Sequence, residues 1–398
     1  MAKVVVIAPY VPHPARHGGA MRSRMLLDAL RLDHEVHLAA AVASPADLAN
    51  LNALASEAGI AVHPLPAHEA PRPSLLGKLG RWLMGGSELV GRRWQKGAAK
   101  EVHRVFETIG YDIGVIDSTY ACPVVTGGCH LLFLHNLEYS MYARQDDEPR
   151  SWSDRMTRRM EARGLRSVEK SAIQRQALTV TVSEHDRDLA LGLVPAAHVE
   201  VVPNSVDLEQ LRLLPAAAAS VPPRLLFVGS LDYPPNLEAA TELVERHVPV
   251  LRRAFPELTV RLVGKDPDGH GARFAGVEGV EVVGPVDDVV EHYRDTHAVY
   301  LPIRSGGGTR IKILEAWALG VPVLSTAVGC EGLPAEDGVH LRRFDTPEQG
   351  CDALRAVLAG GSSLRDNARQ LVDAQFSRAA AIARLRQLVS ELLARQTK

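Results

Sequence analysis

The chain has 398 residues, 46% of them hydrophobic, 5% aromatic and 23% charged, with a formal net charge of −2. That length predicts two to three domains with ample core, and the near-zero charge excludes a bulk nucleic-acid partner. Four cysteines without a C-x-x-C exclude a zinc framework and fit a reducing cytosol.

MAKVVVIAPY is interrupted by Pro9 before it could act as a signal peptide, and no apolar run approaches the ~20 residues that cross a bilayer. Val4–Ala8 reads as a strand buried on both faces, followed by the loop PYVPHPARHGG and a helix over 20–30. His13 and His17 share that loop without a third ligand, so no metal site is expected there. Gly18 and Gly19 precede a helix that opens with Arg22 and Arg24, but the pattern is not G-x-G-x-x-G. Further strands are expected at 34–40, 60–62, 112–116, 131–134, 178–182 and 199–202. Within this half, 72–104 carries eight Lys/Arg against two Glu and contains Trp82 and Trp94. Residues 155–175 carry seven Lys/Arg against two Glu. Basic segments of this kind are solvated helix faces or docking surfaces for anionic lipid.

After the alanines at 216–219 and SVPP (220–223) the pattern restarts. Strands are expected at 224–228, 258–263, 280–283, 297–303, 321–324 and 339–341, with a helix over 237–247 and a last helix from Ser377. Two βα series imply two doubly wound domains facing a cleft, 1–215 and 216–376. Two D-x-D pairs occur. Asp186 and Asp188 fall in a helical pattern, where they do not share a face; Asp266-Pro-Asp268 follows a strand and reads as a plain turn, with a carboxylate pair for Mg²⁺ or Mn²⁺ as the alternative.

The richest stretch is 305–333, SGGGTRIKILEAWALGVPVLSTAVGCEGL. Its glycines let the backbone approach a ligand, and a helix is expected from Thr309, whose hydroxyl would cap it, with Ile311, Leu314 and Ala318 as its buried stripe. A glycine loop entering a helix N-terminus seats phosphate. Arg310 and Lys312 lie in the first turn, and Glu315 follows about 7 Å along the axis at 1.5 Å per residue. A diphosphate at the helix start and a ribose diol on Glu315 fit that spacing. An ordinary surface pair of Lys312 and Glu315 fits it too.

The run G-G-G-T-R-x-K-x-x-E-A resembles the donor-site signature of a variant group within family 4 glycosyltransferases of GT-B fold. The commoner form has a second glutamate, whose place Gly307 takes here. The resemblance implies a metal-independent, retaining transfer of a sugar from a nucleotide diphosphate sugar to an acceptor hydroxyl, with UDP, GDP or dTDP as carrier. The acceptor would be a glycan, a lipid-linked sugar or a small molecule. It implies donor contacts from Gly18, Gly19, Gly229, Val286, Gly306, Gly307, Gly308, Thr309 and Glu315. His135 in Leu134-His135-Asn136-Leu137-Glu138 would lie near the reacting carbon, with Asn136 and Glu138 on the acceptor. Many members carry an Arg and a Lys in the loop that is GSLDYPPN (229–236) here, so Arg310 and Lys312 would take over the diphosphate charge. The segments 182–188 and 201–207 match as structural ones, with Asn204 capping a turn. The helix from Ser377 would return to the first domain. Neither metal nor other cofactor is implied, and the setting would be cytoplasmic, with peripheral contact through 72–104 if the acceptor is lipid-linked. A nucleotide-sugar epimerase of the same fold and a catalytically silent nucleotide-binding module are the rival readings.

Overall fold

The computed structural model describes all residues except 16, 69–79, 81, 83–85, 126, 129, 145–150, 218–221, 307–309, 361 and 397–398. The chain divides into two units, Met1–Asn204 with Ala379–Lys398, and Ser205–Arg378.

In the first unit seven parallel strands are ordered β3-β2-β1-β4-β5-β6-β7. They are β1 (Lys3–Ala8), β2 (Glu35–Val42), β3 (Ala61–Pro66), β4 (Ile113–Asp117), β5 (Leu131–Phe133), β6 (Leu178–Thr181) and β7 (Val199–Val201). The helices α1 (Gly18–Leu30), α2 (Pro45–Ala58), α3 (Glu88–Gly91), α4 (Ala98–Ile109), α5 (Glu138–Arg144), α6 (Trp152–Arg175) and α7 (Glu184–Leu193) connect them. Successive side chains of β1 feed opposite layers, as the period of two requires. Val4, Val6 and Ala8 join a core with Leu26 and Leu30 of α1, and Val5 and Ile7 join one with Val102 and Ile173.

The second unit is a six-stranded parallel sheet, β10-β9-β8-β11-β12-β13. Its strands are β8 (Arg224–Val228), β9 (Thr259–Val263), β10 (Val280–Gly284), β11 (Ala298–Leu301), β12 (Val323–Ser325) and β13 (Arg342–Arg343). Its helices are α8 (Pro234–Glu242), α9 (Val248–Ala254), α10 (Val290–Tyr293), α11 (Ile311–Leu319), α12 (Pro347–Gly360) and α13 (Ser362–Gln375). A π-helical turn over Leu243–His247 joins α8 to α9. α11 is the core helix of this sheet, with Ile313, Leu314, Ala316, Trp317, Ala318 and Leu319 buried. The expected stripe is therefore too narrow: only one side of the helix is open.

The terminal helix α14 (Arg378–Gln396) belongs to the first unit. Ala381, Leu385, Leu388, Val389 and Leu392 enter the core of β1 and α1, and Arg386 pairs with Asp33 at 2.6 Å.

Three expectations shift. The first change of unit falls at Asn204/Ser205, ahead of the expected 215/216 boundary, because Val206 and Leu214 are buried in the second core and Leu214 N–H donates to Leu319 C=O at 3.0 Å. The strand expected at 339–341 is instead β13 at Arg342–Arg343, since Asp337 and Leu341 form only an isolated bridge. The helix expected from Thr309 begins at Ile311.

Candidate functional site

In each sheet the chain order reverses about one strand pair, β1/β4 in the first unit and β8/β11 in the second. Loops that leave the carboxyl ends of such pairs diverge and open a crevice where ligands bind.

In the second unit those loops include 229–233 and 302–306. Gly229 follows β8, and a Cβ there would stand 2.9 Å from Lys312 Nζ and 2.8 Å from Asn236 Cγ. A larger residue there would displace one or both of these side chains, which converge on the backbone. Lys312 Nζ donates to Asn236 Oδ1 at 2.9 Å and lies 5.1 Å from the Phe227 ring centroid. Asn236 Nδ2 in turn donates to Ser230 C=O at 3.0 Å, which fixes the amide orientation. Burial pushes the Lys312 ammonium down to about 7, with Arg310 adding to the fall and Glu315 opposing it. Burial raises Glu315 to about 7 against the pull of Lys312. Both side chains keep a partial opening to solvent. Glu315 accepts no hydrogen bond from the described residues, and the Tyr293 hydroxyl, fully buried and within reach of the Glu315 charge, has no partner among them either.

Arg310 is the N-cap residue of α11, which has no capping side chain and no acid in its first turn. The guanidinium of Arg310 donates to Ser305 C=O at 3.3 Å and closes over Gly306, whose φ of +103° suits only glycine. Two carboxylates one turn apart on α8 anchor the start of this loop. Glu238 accepts from Ser305 Oγ at 2.7 Å, and Glu242 accepts from Arg304 at 2.9 Å. Gly307, Gly308 and Thr309 lie outside the described residues. Val286 is half-buried after β10, two strands from β8, and packs on the core. Asp266 accepts from the N–H groups of His270 and Gly271, each at 2.7 Å, so it closes a turn. Among the described residues no cluster of three metal-ligating side chains occurs.

In the first unit the switch point gathers around His135 three residues that the sequence alone does not single out, Tyr10, Ser23 and Asp117. His135 Nε2 lies 2.7 Å from Asp117 Oδ1, and His135 Nδ1 lies 3.2 Å from the Tyr10 hydroxyl. Ser23 Oγ donates to the other Asp117 oxygen at 2.5 Å and lies 3.4 Å from Tyr10, which closes a ring of four side chains. Asp117 thereby selects the tautomer with the proton on Nε2 and leaves Nδ1 as the acceptor. Burial and the Asp117 charge hold the Tyr10 hydroxyl protonated. Ser118, directly after Asp117, has φ 76° and ψ 152°, a region nearly restricted to glycine. Strain of that kind persists where the surroundings over-determine it, and it clusters at functional sites.

Gly18 is the first residue of α1, whose N-cap is His17 with its Nδ1 accepting from Ala20 N–H. A Cβ on Gly19 would stand 2.6 Å from the Tyr10 hydroxyl and 3.3 Å from His135 Nδ1. Gly19 therefore makes room for the Tyr10–His135 contact. Arg22 is buried at 2% exposure and binds three carbonyls, Leu134, Thr181 and Val202, beneath the His135 loop. It also donates to Asn204 Oδ1, so Asn204 serves this cation as well as the chain turn. Asn136 is half-buried and donates to Glu138. Glu138 is 5% exposed and also accepts from Tyr120. It supports the loop from within, because burial and neighbouring Glu169 surround it with apolar and acidic groups.

The tryptophans of 72–104 have protein partners. Trp82 Nε1 donates to Glu161 at 2.9 Å, and Trp94, 9% exposed, donates to Tyr120 C=O at 2.8 Å. Arg93 donates to Pro9 C=O at 2.6 Å. Arg72, Lys78 and Arg81 lie outside the described residues. A signal for Asp117 was present, an acid closing the apolar run Ile113–Ile116, but its partner stands 18 positions on.

A curated relative, an uncharacterized 44.6 kDa protein in the cps region of Klebsiella pneumoniae, is 23% identical over 125 residues, 29% of this chain. The match spans about a third (32%) of that relative's length. Sucrose-phosphate synthase from Thermosynechococcus elongatus superposes with a TM-score of 0.72 at 18% identity, over 99% of this chain and 100% of that one. Anabaena Alr3699/HepE in complex with UDP and glucose gives 0.67 at 15%, over 98% and 99%. The pneumococcal O-GlcNAc transferase GtfA in complex with UDP and GlcNAc gives 0.66 at 12%, over 98% and 99%. The fold is GT-B, and residues 222–360, within the second unit, match the family described as Glycosyl transferases group 1.

Proposed function

We propose that this protein transfers a sugar from a nucleotide diphosphate sugar to an acceptor hydroxyl, as a member of the family 4 variant group, without metal and with retention of anomeric configuration. The observation that carries the reading is the convergence of Asn236 and Lys312 on Gly229 at the β8/β11 switch point, with the Glu315 charge acting on Lys312, beside the uncapped start of α11. The free N–H groups and the two cations of that start receive the diphosphate, and Glu315 one turn further holds the ribose diol. Charge grows on the diphosphate as the glycosidic bond breaks, so Lys312 and Arg310 stabilise the transition state more than the ground state. The structures of Alr3699/HepE and GtfA with UDP support a UDP-linked donor before GDP or dTDP.

Asp117 is 1% exposed and accepts from both His135 and Ser23, so it orients and does not attack. Without a carboxylate nucleophile, the leaving diphosphate takes the acceptor proton. His135, held by Asp117 through Nε2, orients a sugar hydroxyl that takes the place of the Tyr10 hydroxyl at Nδ1. The free thiols of Cys122, Cys330 and Cys351 support a reducing, cytoplasmic setting.

A thermal-shift panel of UDP-, GDP- and dTDP-sugars identifies the donor, because a ligand that binds only the folded state raises the melting point. Release of nucleoside diphosphate from that donor, undiminished by EDTA and dependent on an acceptor, tests transfer. Conversion of the donor sugar alone would establish an epimerase. Binding without release would establish a silent module.

A further inference from the structure

Helix α6 has two faces of opposite character. Its inward face carries Glu161 and Glu169, eight residues apart, and both are buried. Glu161 accepts from Glu88 and Leu89 N–H at 3.1 and 3.0 Å, capping α3. Glu169 accepts from Glu138 and Tyr139 N–H at 2.8 and 3.1 Å, capping α5 at the end of the His135 loop. The two glutamates of this basic helix are thus withdrawn from its surface.

The outward face is different. Trp152, Met156, Arg159, Arg163, Arg166 and Lys170 stand at i, i+4, i+7, i+11, i+14 and i+18, a spacing that holds them in one stripe of an α-helix. All six are exposed, Trp152 at 71% and Met156 at 41%. The stripe runs about 27 Å at 1.5 Å per residue and contains no carboxylate. A large indole and a thioether lead it, and four cations continue it.

We infer that this stripe docks the protein on an anionic lipid bilayer. The cations meet a negative headgroup plane along the length of the helix, and the indole and thioether enter the interface at its leading end. Nucleic acid would match the cations and leave the indole unused. A second copy of the chain would have to set like charges against each other. The inference replaces 72–104 as the lipid-facing element, because Trp82 and Trp94 are engaged inside the protein. What docking accomplishes rests on the proposed transfer reaction: it brings the unit that carries His135 to a lipid-linked acceptor, through the helix that also caps the His135 loop.

Co-sedimentation with phosphatidylcholine vesicles, with and without phosphatidylglycerol, tests this without donor or turnover, so its outcome is independent of the transfer reading. The protein should bind the anionic vesicles only, and salt should weaken binding. The triple variant Arg163→Gln, Arg166→Gln, Lys170→Gln should bind ~100-fold less tightly, at about fivefold per cation near the surface. Release of nucleoside diphosphate to a soluble acceptor should stay unchanged. If that variant folds poorly, brominated lipid provides a second reading. It should quench indole fluorescence in the wild type and lose that part of the quenching in Trp152→Phe. Absence of binding at low salt, equal binding to neutral vesicles, or binding undiminished in the triple variant would overturn the inference.

Discussion

Lys312 Nζ lies 2.9 Å from Asn236 Oδ1, and both side chains crowd the Cα of Gly229, where any β-carbon would collide with them. A lysine so enclosed is easily neutralised, and an anion is the natural partner that keeps it charged. The proposed donor site is built on that relationship.

The first consequence is a pH dependence. Lys312 is lowered to about 7 and Glu315 raised to about 7, so both titrate in the neutral range as a coupled pair. An anionic diphosphate needs the charged lysine, which is lost as pH rises. A ribose diol needs the ionised glutamate, which is lost as pH falls. Affinity for the donor should therefore pass through a maximum near neutrality, with each limb falling by up to about tenfold per pH unit. Titrations across pH should show Lys312→Gln flattening the alkaline limb and Glu315→Gln the acid limb. A flat profile in the wild type would contradict the assignment.

Gly19 provides a steric test of the first-unit ring. Gly19→Ala should displace Tyr10 or His135, costing about 1–3 kcal/mol of stability as overpacking and lowering kcat more than donor affinity. Tyr10→Phe removes the atom that the new methyl meets at 2.6 Å, so the double variant should recover part of the stability. Urea melts of the four proteins check this. Additive losses would show that the two sites are not coupled through that contact.

Glu169 offers a third test. Burial and the nearby Glu138 raise its carboxyl to about 8, well above an unfolded glutamate. The folded protein then holds a proton that the unfolded chain releases, so the contribution of this group is full at acid pH and declines as pH rises toward 8. Melting temperatures followed from pH 5 to 8 should fall less in Glu169→Gln than in the wild type. An identical decline would show that Glu169 is ionised throughout.

Much of the fold was legible because buried parallel strands leave continuous apolar runs. Val4–Ala8 and Leu225–Val228 stand out for that reason, and the restart at Arg224 marks the second βα series. The change of unit was less so. The alanines and prolines after Leu214 look like a linker, whereas Val206 and Leu214 are core residues whose partners, Phe376 and Leu319, are remote in sequence. Arg310, Lys312 and Glu315 were visible through their spacing on one helix. Tyr10, Ser23, Asp117 and Asn236 were not, because each acquires its role from a partner on another element. The partner of Trp82 was hidden for the same reason, since Glu161 is 79 residues away.

The assignment of Glu315 to the donor ribose is tested most directly by calorimetric titration of the stabilising nucleotide sugar into the wild type and Glu315→Ala. Loss of a charge-assisted hydrogen-bonding partner should weaken binding by roughly 1.5–3 kcal/mol, with the melting point of the unliganded protein retained. Equal affinity in the two folded proteins would contradict the account.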